Sequence, residues 1–142
     1  MSNNESLHYQ YEVSKEDFTH AGQASSDVKK KLKRLGINPQ AIRRVSIAMY
    51  EGEINMVIHA DGGVIDVDIY PDRLVMVLKD HGPGIADIEK AMQEGYSTAR
   101  QEVINLGFGA GMGLPNMKNN TDQMQIDTEL GVGTTVTMVV RF

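Results

Sequence analysis

Residues 65–69 alternate between branched apolar and acidic side chains, and this pattern constrains the fold more than any other segment. A side-chain period of two predicts a β-strand with one apolar and one polar face. The turn residues Pro71 and Asp72 follow. The run from Leu74 to Leu78 is then apolar throughout, which predicts a second strand buried on both faces.

The segments that precede these strands have helical patterns. Ser14, with Asp17 three residues later, predicts the start of a first helix, and Gly36 is typical of a helix end. Apolar side chains between them recur at helical spacing, at Val28, Leu32 and Leu35. Asn38 and Pro39 predict the start of a second helix that reaches about His59.

The remaining predicted elements are an edge strand over 7–13, a helix over about 113–120, and strands over 124–128 and 134–141. Residues 80–113 form a long connection marked by glycines, with short helices predicted only at 87–93 and 99–105. A loop of this length inside a compact domain is usually functional. We therefore expect one domain over residues 1–142, a two-layer α/β sandwich with a mostly antiparallel, mixed sheet and helices on one face.

Composition excludes several classes of protein. The 142 residues include no cysteine, which excludes disulfides, thiolate catalysis and Cys-ligated zinc, and fits a reducing compartment such as the cytoplasm. The net charge of −5 argues against direct binding of nucleic acid. No apolar run approaches the ~18 residues that a membrane-spanning helix needs.

Basic residues are concentrated in one part of the chain. Seven of the fourteen lie between residues 29 and 44, at Lys29, Lys30, Lys31, Lys33, Arg34, Arg43 and Arg44. Such a cluster is either a solvated helix face or a docking surface for an acidic partner. The pattern alone leaves both interpretations open.

Glu51 and Asn55 lie four residues apart in the second predicted helix and therefore share one helix face. A carboxylate beside a carboxamide can divide two tasks, accepting a proton and supplying an oxygen ligand to Mg²⁺. Pairs at this spacing are also common on exposed helices that have no such task. His59 falls on the same face, and we expect it to be structural.

Glycines occupy every second position from Gly107 to Gly113, directly before a predicted helix. Glycine lets backbone N–H groups approach a ligand closely, and a helix N-terminus carries partial positive charge, so phosphate is the expected ligand. The spacing matches neither a dinucleotide fold nor a P-loop. A flexible loop without a ligand is the alternative.

Asp80 ends the most hydrophobic predicted strand and is followed by Gly82 and Gly84. A carboxylate here can accept a hydrogen bond from the exocyclic amine of a flat ring that lies against the loop. Thr135, in the predicted hairpin 131–135, is expected one strand over from Asp80, where its hydroxyl would complete the binding wall directly or through water. A plain turn is the alternative at both places.

In chain order, these four elements resemble the N, G1, G2 and G3 boxes of the GHKL ATPase superfamily. They read EGEIN at 51–55, DHGPG at 80–84, GFGAGMGL at 107–114 and GVGTT at 131–135. Each motif is short, but their occurrence in this order over about residues 40–140 is specific. The resemblance implies a Bergerat-type fold that binds ATP between the N-box helix, a mobile lid and the sheet.

The resemblance also implies roles for single residues. Glu51 would be the general base, Asn55 the Mg²⁺ ligand, and Asp80 the acceptor for the adenine amine. Further nucleotide-binding positions are Gly82, Gly84 and Thr135 around the ring, Gly109, Gly111, Gly113 and Leu114 around the phosphates, and Ile85. Arg100 is a candidate contact to phosphate or partner, in a lid that residues 100–106 make longer than the compact family form.

Within the superfamily, the chain looks most like the small bacterial serine kinases of the anti-sigma factor and stressosome switch-kinase class. This resemblance implies phosphorylation of a serine on a STAS-domain antagonist protein, control of a sigma factor or a PP2C-type phosphatase, and in some relatives a homodimer. One alternative is a nucleotide-gated module that binds a sigma factor without significant kinase activity. Another is a stand-alone histidine kinase domain, which Glu51 disfavours because histidine kinases usually have Asn there.

Overall fold

A five-stranded sheet with helices packed against it forms the protein in our computed structural model, which describes residues 5–14, 19–59, 62–85, 88, 92 and 113–142. The described helices are α1 (Gln23–Arg34), α2 (Pro39–His59) and α3 (Gly113–Asn119). The described strands are β1 (Leu7–Val13), β2 (Gly63–Ile69), β3 (Arg73–Asp80), β4 (Gln123–Glu129) and β5 (Gly133–Arg141). The predicted two-layer α/β sandwich is confirmed.

The strand order is β1-β2-β3-β5-β4, with β3 at the centre and β1 at one edge, as predicted for the first strand. Every described strand pair is antiparallel, so this part of the sheet is more uniform than the mixed sheet that we expected. The hairpin β2–β3 brings Gly63 opposite Asp80, and the β3–β5 pair brings Lys79 opposite Thr135. These two pairings set the end of the sheet at which the site residues lie.

The hydrophobic core lies on the helix-facing side of the sheet. On β3, Leu74 and Met76 are fully buried and Leu78 is nearly so, whereas Val75 and Val77 between them are only half-buried. The prediction that this strand is buried on both faces is therefore wrong. Apolar residues on both faces of a strand do not require two covering layers, and the described helices pack against one face only.

Helix α2 packs closely across the central strands because residue 52 is glycine. A Cβ atom at Gly52 would overlap the side chain of Leu78 on β3 and contact Met117 of α3. Glycine destabilises a helix interior by about 1 kcal/mol relative to alanine. Here the absent side chain lets the helix backbone approach the sheet and α3 at the same point.

The start of α1 differs from the prediction. Residues 19–22 form bends and turns, and the helix begins at Gln23 after Gly22 in the left-handed region (φ 93°) instead of starting from Ser14. Residues 15–18, including Asp17, lie outside the described part of the chain. The actual start is set by a carboxylate from another helix, which a local capping pattern cannot reveal.

That carboxylate belongs to Glu53 of α2, whose residue is only 3% exposed. Its Oε2 accepts the N–H groups of Gly22 at 2.8 Å and Ala24 at 3.3 Å, and its Oε1 accepts the N–H of Ser25 at 3.1 Å. The first N–H groups of a helix have no partner within the helix and attract negative charge. Glu53 therefore caps α1 and joins the two helices.

The other predicted helix boundaries are confirmed. Gly36 follows α1 with a φ of 73°, and Pro39 is the first residue of α2. Asn38 caps α2, because its Oδ1 accepts the N–H of Ala41 at 2.8 Å. Of the predicted short helices, 99–105 lies outside the described residues, and within 87–93 the N–H of Met92 donates to the carbonyl of Ile88 at 2.9 Å.

An ion pair fixes the first half of α2 to the far end of the sheet. The Asp122 carboxylate accepts the backbone N–H of Arg141 at 2.7 Å and the guanidinium of Arg44 at 2.9 Å. These donors, the backbone N–H first, hold the pKa of Asp122 below its usual value.

Among the helices in the described ranges, none combines the length and the apolar character that crossing a bilayer would need.

Replacing Glu53 with glutamine tests the cap on α1. Glutamine keeps the side-chain length, but its NH₂ group would face one of the three backbone N–H donors and leave that donor without an acceptor. A buried unsatisfied donor costs about 1–3 kcal/mol, so we expect Glu53→Gln to lower the free energy of unfolding by about that amount in denaturant titrations. Glu129→Gln, at an exposed position on β4, is the matched control. Equal stability of the two variants would contradict the capping role.

Candidate functional site

The helical repeat of α2 divides the motif at residues 51–55 between two faces. Glu53 faces α1, whereas Glu51 and Asn55 lie on the side of α2 that meets α3. The two carboxylates of one short motif therefore belong to different parts of the molecule. The structural role of Glu53 was not predicted from the sequence. Of the two carboxylates, only that of Glu51 belongs to the candidate site.

Glu51, Asn55 and Gly113 meet at the junction of α2 and α3. A Cβ atom at Gly113 would lie 3.4 Å from Oδ1 of Asn55 and 3.7 Å from Oε2 of Glu51. Both are ordinary van der Waals distances, so a side chain at residue 113 would occupy the space next to these polar groups. Glycine here keeps open the space in front of a carboxylate and a carboxamide.

Asn116 is a further residue of this junction that sequence reasoning missed. Its Nδ2 group donates a hydrogen bond to Oε1 of Glu51 at 3.1 Å. Asn116 lies three residues after Gly113 in α3, and residues at this spacing share a helix face. That spacing was visible in the sequence, but only the packing of α3 on α2 shows that the shared face meets Glu51.

The side chain of Asn55 is suitable as a ligand for Mg²⁺. It is half-buried and makes no hydrogen bond with any of the described residues, so its Oδ1 is available as a ligand. Magnesium usually takes one or two protein oxygens and keeps water and phosphate oxygens as its other ligands. The described residues contain no group of three or more acidic, histidine or cysteine side chains placed to hold a metal.

Asp80 lies at the end of β3 with one carboxylate oxygen occupied. Oδ1 accepts the backbone N–H of Gly82 at 3.0 Å and that of Thr134 at 2.9 Å. Within the described part of the chain, Oδ2 accepts no hydrogen bond, so it can accept one from a ligand. The two fixed contacts orient the carboxylate.

The end of β3 lies against the same helix as Glu51 and Asn55. A Cβ atom at Gly63, which pairs with Asp80, would lie 2.7 Å from Cε of Met56 and 2.9 Å from Cα of Asp80. Met56 directly follows Asn55 in α2. The structure therefore places Asp80 beside the C-terminal half of the helix that carries the other candidate residues.

The loop after Asp80 is held by the β4–β5 hairpin. The N–H of Ile85 donates to Oγ1 of Thr128 at 2.8 Å, and the carbonyl of Pro83 accepts the N–H of Gly131 at 2.9 Å. Gly84 has a φ of 81°, and a Cβ atom there would lie 2.7 Å from the carbonyl oxygen of Glu129. Gly84 thus allows a tight loop, in which Gly82 is buried, and the partly buried Ile85 packs against the core.

Thr135 is not brought together with Asp80. It pairs with Lys79, so its side chain lies on the opposite face of the sheet from that of Asp80, because successive residues of a strand point to opposite faces. Thr134 takes the predicted place, since its N–H contacts Asp80 and its Oγ1 lies 2.9 Å from Oγ1 of Thr128. The motif GVGTT offered two adjacent threonines, and only the register of β5 distinguishes them.

Several predicted site residues are described in part or not at all. Gly109, Gly111, Arg100 and the lid segment 100–106 lie outside the described residues, as does the side chain of His59. Leu114 belongs to the hydrophobic core and is 7% exposed. Its side chain therefore packs inward, and only its backbone is available to a ligand.

A separate cavity of about 630 Å³ lies between β1 and the start of α1. Its lining includes Tyr11, Asp27 and Glu53 but none of the residues predicted to bind a nucleotide. Burial, and then the hydrogen bond to Asp27 at 2.5 Å, raise the pKa of Tyr11, while Lys31 and then Tyr11 lower the pKa of Asp27. These contacts hold the edge strand to α1.

A model of the histidine kinase-like ATPase domain matches residues 15–140 of the chain. The chain belongs to this family. The match covers α1 to β5, including all four motifs, so the resemblance inferred from the motifs is confirmed.

The relatives of this chain include a serine/threonine-protein kinase and several anti-sigma F factors. The chain is 32% identical over 108 residues to the serine/threonine-protein kinase RsbT of Bacillus subtilis, covering 73% of this chain and 75% of the relative. It is 34% identical over 107 residues to an anti-sigma F factor of Clostridium beijerinckii, covering 71% of each chain. An anti-sigma F factor of Clostridium acetobutylicum is 33% identical over 108 residues, covering 72% of each chain. These relatives agree with the predicted class of small bacterial kinases.

Proposed function

We propose that this protein is an ATP-dependent serine kinase of a partner-switching module, which phosphorylates a STAS-domain antagonist protein and so regulates a sigma factor or a PP2C-type phosphatase. The observation that carries the proposal is the meeting of Glu51, Asn55 and Gly113 at the junction of α2 and α3. The family membership and the relatives named as a serine kinase and as anti-sigma factors support it.

The proposed reaction transfers the γ-phosphoryl group of ATP to a serine hydroxyl of the partner. The serine oxygen forms a bond to the γ-phosphorus, the bond to the bridging β–γ oxygen breaks, and the hydroxyl proton passes to the carboxylate of Glu51. Asn55 would hold Mg²⁺, which neutralises charge on the phosphates when bound. Asp80 would orient the adenine through Oδ2, since its Oδ1 is already bonded to two backbone N–H groups.

Replacing Asp80 with asparagine isolates the proposed adenine contact. The carboxamide oxygen can keep both backbone N–H bonds, while its NH₂ group takes the place of Oδ2 and opposes the adenine amine. A hydrogen bond to a charged group contributes ~1.5–3 kcal/mol, and we therefore expect ATP affinity to fall about 10- to 100-fold in calorimetry. Thr135→Val, on the other face of the sheet, should bind ATP normally. Unchanged affinity of Asp80→Asn would reject the adenine contact.

Replacing Glu51 with glutamine tests the general base. Glutamine still offers Asn116 an oxygen acceptor, but it cannot accept the proton of the serine hydroxyl. A positioned base contributes about 10²–10⁴-fold, so we expect transfer from radiolabelled ATP to a STAS-domain protein encoded nearby to fall by that factor, with ATP affinity retained. Glu129→Gln is the control. Undiminished phosphoserine formation by Glu51→Gln would remove Glu51 from the mechanism.

The basic residues of α1 and α2 are proposed to dock the partner. Lys31 pairs with Asp27 and Arg44 with Asp122, so these two stabilise the fold. The other basic residues of the cluster are exposed and form no ion pair within the described ranges, namely Lys29, Lys30, Lys33, Arg34 and Arg43. An exposed basic surface favours an acidic partner and speeds its association.

Reversing two of these charges tests the docking surface. Lys29 and Lys33 are four residues apart on α1, and we expect Lys29→Glu with Lys33→Glu to weaken binding of the STAS-domain protein by about tenfold at low ionic strength, an effect that salt should diminish. Lys79→Glu with Arg141→Glu, two exposed positions on the sheet, gives the same change in net charge. Equal affinities of the two double variants would identify the cluster as a solvated helix face.

A nucleotide-gated anti-sigma module without significant kinase activity is the second candidate, and the relatives named as anti-sigma F factors favour it. Incubation with labelled ATP separates the two. A phosphoserine on the STAS-domain partner indicates the kinase, and a stable unphosphorylated complex with a sigma factor indicates the module.

A homodimer and a cytoplasmic location stay predictions. Light scattering of the purified protein measures its molar mass and so tests for the homodimer.

A further inference from the structure

The two carboxylate oxygens of Glu51 lie in different surroundings. Oε1 accepts the hydrogen bond from Nδ2 of Asn116 at 3.1 Å. Oε2 lies 3.7 Å from the position that a Cβ atom would take at Gly113. One oxygen is therefore held by α3, and the other faces the space that Gly113 keeps open.

Asn116 is itself firmly placed. Its neighbours Leu114, Pro115 and Met117 are buried, and its backbone carbonyl accepts the Nδ2 group of Asn120 at 2.8 Å. The side chain is half-buried between α2 and α3. Since a carboxylate only accepts hydrogen bonds, the NH₂ end of the amide is the end that faces Glu51.

We propose that Asn116 is a positioning residue for Glu51, a role that rests on the proposed kinase function. A glutamate has three side-chain torsions, and a carboxylate at a helix junction can adopt several of their combinations. The hydrogen bond to Oε1 selects the conformation in which Oε2 is presented to the serine hydroxyl. In this role Asn116 acts through Glu51, so its removal would misplace the base without removing it.

The first test is the rate of phosphoryl transfer in Asn116→Ala. A base misplaced by about an ångström can cost up to 10²-fold, so we expect kcat for phosphorylation of the STAS-domain protein to fall about tenfold, with the KM for ATP unchanged. Asn116→Asp should be slower still, because a second carboxylate would face Glu51. Wild-type kcat in Asn116→Ala would overturn the proposal, as would a rise in KM alone.

A control variant separates positioning from a general effect on α3. Asn119→Ala removes an exposed asparagine of the same helix. It should keep the wild-type kcat, and thermal melting confirms that both variants are folded. A loss of kcat in Asn119→Ala equal to that in Asn116→Ala would overturn the specific role.

A double-mutant cycle tests whether Asn116 acts through Glu51. In Glu51→Asp the shorter carboxylate can no longer hold both positions, so adding Asn116→Ala should change kcat by less than about twofold, within the additivity error for uncoupled sites. An equal further loss in that background would overturn the proposal. If Glu51→Gln keeps full transfer, the proposed general base fails instead, so the two failures are distinguishable.

Discussion

The close packing of α2 against the sheet sets where the candidate site residues lie. Gly52 lets the helix backbone approach Leu78, and a Cβ atom at this position would also contact Met117 of α3. A larger residue would overlap Leu78, so either this buried side chain or the helix would have to shift. A residue that carries no chemistry therefore sets the position of Glu51, one residue before it.

Because successive residues of a helix point in different directions, α2 contacts α1, α3 and the end of β3 with different side chains. Glu53 faces α1 and caps it, Glu51 and Asn55 face α3, and Met56 lies against the end of β3 beside Asp80. The predicted catalytic and metal-binding side chains thus lie on α2 itself, and the end of the strand that carries Asp80 lies against the same helix. Sites built on helices and strands hold their geometry more closely than sites built on loops.

The carboxylates of Asp80, Glu51 and Glu53 differ in how many of their oxygens are used for structural contacts. Asp80 gives one oxygen to backbone N–H groups, Glu51 gives one to Asn116, and Glu53 uses both oxygens to cap α1. A carboxylate held through one oxygen is oriented before any ligand arrives. Asp80 and Glu51 therefore each keep one oriented carboxylate oxygen that is available to a ligand.

Element order, nearly all element boundaries, the family and the shared face of Glu51 and Asn55 could be predicted from the sequence alone, because they depend on local periodicity, turn residues and motif order. Tertiary structure decided the start of α1, the choice of Thr134 over Thr135, the half-exposed face of β3, and the contact of Asn116 with Glu51. Each of these features depends on a contact between residues that are far apart in the sequence. Strand register and helix packing decide which residues make that contact, and a pattern within a short stretch of sequence does not contain this information.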